Sequence, residues 1–265
     1  MKNLTNLLIK GAMACALVML ARNVHAQPAS PATDQSAVTA IDILLKPDAT
    51  MLQHAAANNA RLLKTYPKGF ALDATHTPHI TMLQCFVRTA DLDKLYAAEE
   101  KVLAAANVNA MKLDAFKLYY IPAGGALGVA GICAKPSPQL LKLQADIIAA
   151  AKPFMAETGP IGAFTAGHDD PAIDVAMIQY VSTFEQKAAG EKFNPHVSTG
   201  TAPKDYLDKM VAEPFEPFTF SPAGGRLPAR SVRHGGEETQ RMGFEALRRR
   251  LTAGPRSGVG STHRA

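Results

Sequence analysis

The chain has 265 residues, 47% of them hydrophobic, a formal net charge of +5, three cysteines and no tryptophan. That length gives one large domain or two small ones ample material for a real core. The charge is uneven: residues 1–26 hold three cations, residues 27–225 hold 16 Lys/Arg against 20 Asp/Glu, and residues 226–265 hold nine Arg against three Glu. The part expected to fold is therefore mildly acidic, which excludes a general polyanion-binding surface and makes any phosphate recognition local.

Residues 1–26 carry Lys2 and Lys10, an apolar run over 11–21, and Val24-His25-Ala26. This is the charged, apolar and small-residue order of a secretory signal peptide, with cleavage expected after Ala26. The run is too short to span a bilayer and no later stretch approaches the length, so no stable membrane anchor is expected after cleavage. Cys15 lies inside the run without a lipid-attachment pattern around it. The mature chain is expected to be periplasmic or secreted. Cys85 and Cys133 then remain; an oxidising compartment permits a disulfide, and apolar neighbours permit two buried thiols.

Residues 27–36, "QPASPATDQS", read as a flexible lead-in. "AVTAIDILL" (37–45) predicts a strand that stops at Lys46-Pro47. Asp48 can cap a helix over 48–66, where Met51, Leu52, Ala55, Ala56, Leu62 and Leu63 fall at helical spacing. A buried strand is expected over 79–87 ("HITMLQCFV") and an amphipathic helix over 91–107. Strands over 111–121 and 125–135 flank a Pro-Ala-Gly turn, and a helix over 137–155 has Ser137 as cap and Pro138 in its first turn. Residues 157–192 are rich in Gly, Pro and Asp, with one helix or strand near 172–184. A short strand at "PHVSTG", a helix over 202–212 and a strand at "FEPFTFSP" close the regular pattern. The mixture of strand–helix units and hairpins favours an α+β fold over 37–225, in two lobes, with 157–192 as a possible insertion. From Arg226 the basic residue switches wholly from Lys to Arg and the apolar periodicity stops. This predicts a disordered basic tail, or one foreign to the folded region.

Within this pattern one phrase occurs twice: "PHIT" at 78–81 and "PHVS" at 195–198. Each opens a predicted strand, where a proline is tolerated because its missing N–H need not join the ladder. Strand side chains alternate, so His79 projects with Thr81, and His196 with Ser198. Brought together, two imidazoles and two hydroxyls suit a phosphodiester. A neutral His takes a proton from water, a protonated His gives one to the departing oxygen, and hydroxyls hold the non-bridging oxygens. That chemistry calls for no metal or other cofactor.

The paired phrases resemble the H-x-[ST] motifs of the 2H phosphoesterase superfamily, the LigT-like 2′,3′-cyclic phosphodiesterases and 2′-5′ RNA ligases. The resemblance covers roughly 37–224. It implies a bilobal, pseudo-twofold α+β fold with antiparallel sheets lining a central cleft and helices outside. It further implies that His79 and His196 are the acid/base pair, Thr81 and Ser198 the phosphate-binding hydroxyls, and RNA ends or small cyclic nucleotides the substrates of a monomer. A binding module that keeps the cleft without turnover, and RNA ligation, are the alternatives. Two departures from the family stand out: the long spacing between motifs, and the lack of any expected strand after "FTFSP".

Other residues have weaker claims. His76 and His79 could form a metal pair, but Pro78 disfavours the helical spacing this needs. His168-Asp169-Asp170 lies in a Gly/Pro loop where solvated turns are the default. Tyr119, Tyr120 and Phe193 could stack a base but suit core packing. Lys117 and Arg88 could meet a phosphate. Cys85, in register with His79 by simple alternation, suits the core better than a nucleophile's role.

Overall fold

A computed structural model describes residues 37–73, 76–123, 125–164 and 175–226. The expected signal peptide, the lead-in, the tail beyond Arg226 and the His168-Asp169-Asp170 cluster lie outside the described residues.

The chain is α+β. Strand β1 (Val38–Pro47) leads into helix α1 (Ala49–Thr65), then β2 (Ile80–Arg88), α2 (Leu92–Ala106), β3 (Leu113–Pro122), β4 (Leu127–Ala134) and α3 (Pro138–Ala151). A two-residue strand β5 (Met155–Ala156), helices α4 (Val175–Ser182) and α5 (Phe184–Ala188), β6 (His196–Pro203), α6 (Lys204–Val211), β7 (Phe218–Phe220) and β8 (Pro222–Arg226) complete it. The strands form two four-stranded sheets, ordered β5-β2-β1-β8 and β6-β4-β3-β7. Every strand pair is antiparallel.

The helix starts follow the cap chemistry. Asp48 Oδ1 accepts the Met51 amide at 3.2 Å while Oδ2 accepts the Ser221 amide at 2.8 Å, so one carboxylate caps α1 and fixes the approach to β8. Ser137 Oγ accepts the Leu140 amide at 3.2 Å, with Pro138 in the first turn of α3. Helix α3 buries Leu140, Leu143, Gln144, Ile147, Ile148 and Ala151, one stripe at helical spacing, and packs against α2. The main core unites both sheets with these helices: Ile41, Ile43 and Leu45 of β1, Ile80 and Met82 of β2, Leu113 of β3, Ile132 of β4 and Val197 of β6.

Two features depart from the expectations, and a third, helix α4, falls where a helix or strand is expected. A strand does follow "FTFSP": β8 pairs with β1, Leu45 opposite Gly225 and Lys46 opposite Gly224. Its sequence, Pro-Ala-Gly-Gly-Arg, has low strand propensity, and the pairing is imposed by the free edge of β1. The strand at 215–222 is reduced to the three residues of β7. Within 157–192, helix α4 places Met177 and Val181 against Ala40, Phe86 and Phe164, a small second core on the face of β2 turned away from the main core. Cys85 and Cys133 are both buried free thiols. Among the described residues no helix is long and apolar enough to cross a membrane.

Glu99 of α2 is fully buried and neither carboxyl oxygen is hydrogen-bonded. Burial pushes it from 4.5 up to about 8. Raised in the folded state, it contributes stability that is full below about pH 4.5 and lost as pH rises through 8. Stability is therefore expected to fall with pH across that window, with a slope of up to about 1.4 kcal/mol per pH unit. Glu99→Gln should flatten the slope in thermal unfolding measured from pH 5 to 8; an unchanged slope would assign it to another group.

Candidate active site

The two histidine phrases fold into the same local structure. His79 Nδ1 lies 2.6 Å from the Thr77 carbonyl oxygen, and His196 Nδ1 lies 2.6 Å from that of Asn194. In each case the ring bonds to the residue two positions upstream, across the proline. A carbonyl only accepts, so Nδ1 carries the proton and Nε2 is left as the working nitrogen of the neutral ring. Each phrase is also followed by a β-bulge. Leu44 pairs with Thr81 and Ile43 with Leu83, leaving Met82 as an extra residue. Gly131 pairs with Ser198 and Ala130 with Gly200, leaving Thr199 extra.

The bulge in β2 decides which side chains meet. Alternation alone would put Cys85 on the face of His79 and Thr81. The extra residue reverses the parity, so Gln84 joins that face instead, opposite Asp42, while Cys85 pairs with Ile41 in the core. The expectation that Cys85 shares the face of His79 is corrected on this ground. Burial, with the Glu99 charge next, raises its thiol far above the range of a nucleophile.

Asp42, in the middle of the apolar strand β1, is the residue that motif reasoning missed. Its Oδ2 accepts from Gln84 Nε2 at 3.0 Å and from the Thr81 hydroxyl at 3.3 Å, and lies 3.7 Å from His79 Nε2. Burial raises the carboxyl, and the charge of His79 and the two hydrogen bonds oppose the rise. A charged residue inside an otherwise apolar buried strand is the signal that could have revealed it.

His196 is half-buried in the second sheet, opposite Cys133. Tyr119 stands edge-on to its ring, with centroids 4.8 Å apart and planes at 61°. Tyr119 reaches it across Gly131, where a Cβ would lie 2.5 Å from the tyrosine ring. Burial lowers the His196 imidazole, the Asn194 carbonyl opposes this, and the charge of His79 lowers it further. The two imidazoles are thus near enough for charge on one to disfavour charge on the other. Their strands belong to different sheets and touch where the sheets meet, rather than lying side by side in one sheet.

The two hydroxyls differ. The Thr81 hydroxyl is engaged with Asp42, whereas among the described residues no hydrogen bond involves the Ser198 hydroxyl. Of the weaker candidates, Arg88 is tied to Asp91, Met155 and Pro153, and Tyr120 to Asp208. Phe193 is in the main core, and Lys117 is exposed with its ammonium 5.2 Å from the Phe116 ring centre. His76 stacks on Phe70 and lies 3.6 Å from Asp73. Burial and the Asp42 charge push the Tyr180 phenol of α4, which sequence reasoning did not single out, up to about 12. Among the described residues no group of three His, Cys, Asp or Glu side chains could hold a metal ion.

No protein-family model and no curated protein matches the sequence.

Helix α1 steadies both phrases. Asn58 donates to Thr199 Oγ1 at 2.7 Å, and that hydroxyl donates to the Ala130 carbonyl at 3.2 Å. Asn59 donates to the Thr199 carbonyl at 2.8 Å and to the Phe70 carbonyl at 2.9 Å, and accepts the Leu72 amide at 3.1 Å. One asparagine therefore joins the bulge after Ser198 to the segment leading into His79. Asn59→Ala leaves these buried groups unpaired and should cost about 1–3 kcal/mol. Faster hydrogen exchange at the Leu72 amide is expected with it; unchanged exchange there would show that the tie is not needed.

Proposed function

We propose that the protein is a metal-independent phosphodiesterase that hydrolyses 2′,3′-cyclic phosphates of RNA ends or nucleotides, with His79 and His196 exchanging the protons. The observation that carries this is the duplicated local structure. Two imidazoles, each oriented by a carbonyl two residues upstream and each followed by a hydroxyl and a bulge, lie within electrostatic reach of one another. One ring as base and one as acid suffice to add water to phosphorus and release the ribose oxygen. The Ser198 hydroxyl is available to a non-bridging oxygen as negative charge builds there.

The finer fold reading, a bilobal 2H phosphoesterase-like arrangement, draws support from the pairing. Each histidine strand is antiparallel to a strand that precedes a helix: β2 to β1, which leads into α1, and β6 to β4, which leads into α3. The segment carrying α4 and α5 is then the insertion in the second half. Export by the expected signal peptide would put the activity in the periplasm or outside the cell.

The test is hydrolysis of a 2′,3′-cyclic nucleotide followed by phosphorus NMR, with a 2′-phosphate as the expected product. His79→Ala and His196→Ala should each lower the rate by about 10²–10⁴ with folding intact. Binding without turnover by the intact protein would favour a ligand-binding module and sink the enzyme reading.

A further inference from the structure

We propose that Asp42 is a third working member of this site, a positioning residue that holds His79 as the proton donor and leaves His196 as the proton acceptor. The proposal rests on the phosphodiesterase reading above and adds a direction to it.

Asp42 is only 8% exposed, and its strand neighbours Ile41 and Ile43 are core residues. A buried carboxylate is costly unless donors surround it. Here three groups converge on one oxygen: Gln84 donates to Oδ2 at 3.0 Å and Thr81 at 3.3 Å, and His79 Nε2 lies 3.7 Å from it, while Oδ1 has no hydrogen-bond partner. Gln84 and Thr81 share this face only because of the bulge at Met82. The two neutral donors fix where Oδ2 sits, and it sits against His79 Nε2. At 3.7 Å the contact is longer than a hydrogen bond, and it is an ion pair only when His79 carries its second proton. The Nε2 proton of a charged His79 is therefore held in place yet free to go to another acceptor.

His196 has no such partner. Its ring meets the Asn194 carbonyl and the edge of Tyr119, and among the described residues no carboxylate pairs with it. Among the described residues, Cys133 of β4 lies opposite His196, Lys117 of β3 pairs with Cys133 on its other side, and Tyr119 of β3 meets the His196 ring. His79 faces Asp42 from β1 and His196 from β6; Asp42 acts on Tyr180 of α4 and on Cys85 of β2; and Lys46 shares the Asp42 face of β1 by alternation. One anion thus stands beside one of the two imidazoles, and among the described residues none stands beside the other. That asymmetry assigns the roles.

Neutral His196 accepts a proton at Nε2 from water, whose oxygen forms a bond to phosphorus. The bond from phosphorus to the 3′ oxygen breaks, and that oxygen takes the Nε2 proton of His79. The product is a 2′-phosphate with a free 3′ hydroxyl. Solvent then returns a proton to His79 and removes one from His196.

Asp42→Asn in the full chain, assayed on two substrates, tests this direction. Asparagine keeps an oxygen for Thr81 and Gln84 but loses the charge. With a 2′,3′-cyclic nucleotide, the alkaline limb of kcat/KM should move to lower pH by about one unit, with the acidic limb unmoved. With methyl p-nitrophenyl phosphate, whose leaving group departs without a proton, Asp42→Asn and His79→Ala should lose no more than a few-fold. His196→Ala should lose as much on it as on the cyclic substrate. An unmoved alkaline limb in folded Asp42→Asn overturns the proposal. So do equal losses for the two histidine variants on the activated ester, a comparison that stands even if Asp42→Asn fails to fold. An intact protein inactive on both substrates overturns the phosphodiesterase reading instead.

Discussion

A strand's side chains alternate, so a single inserted residue reverses the face of everything beyond it. Met82 and Thr199 are such insertions, each one residue past the hydroxyl of a histidine phrase. The rest of the site depends on them. In β2 the insertion sends Cys85 into the core and turns Gln84 onto the histidine face, where it meets Asp42. In β6 it leaves Thr199 to the asparagines of α1, so that the strand is gripped just behind Ser198. The bulges are thus where the requirements of the core and of the site are separated within one strand.

Two buried carboxyls show what this separation provides. Asp42 and Glu99 both sit inside the protein, and burial raises both. Asp42 has two neutral donors and an imidazole around one oxygen; Glu99 has no hydrogen bond to either. A carboxyl surrounded by donors can keep its charge and act on a neighbour, whereas one without them stays neutral and taxes stability as pH rises. The same residue chemistry gives a site member in the first case and a local liability in the second.

Much of the fold was legible in residues with a strong local signal. The capping roles of Asp48 and Ser137 and the apolar stripe of α3 appear where propensity and spacing put them. Strand β8 was not legible, because Pro-Ala-Gly-Gly-Arg has no strand signature and is recruited by an unpaired neighbour across the chain. Of the candidate site, the echo of Pro-His-aliphatic-hydroxyl nominated both histidines and both hydroxyls, and the two phrases share a ring-to-carbonyl bond and a bulge. It could not reveal the ring-to-carbonyl bonds, which form in irregular backbone across each proline. Nor could it reveal Asp42, whose role depends on a bulge in the strand beside it. Periodicity reads a strand as unbroken, and the meeting of Gln84 with Asp42 follows from a break in that period.

The central claim is that both imidazoles address one phosphate. It is tested most directly by following the His79 and His196 ring resonances by NMR while the intact protein is titrated with a 2′-nucleotide, the expected product. Both Nε2 signals should shift together with a single binding curve. A shift confined to one ring, or none at either while the nucleotide binds elsewhere, would contradict the two-histidine site.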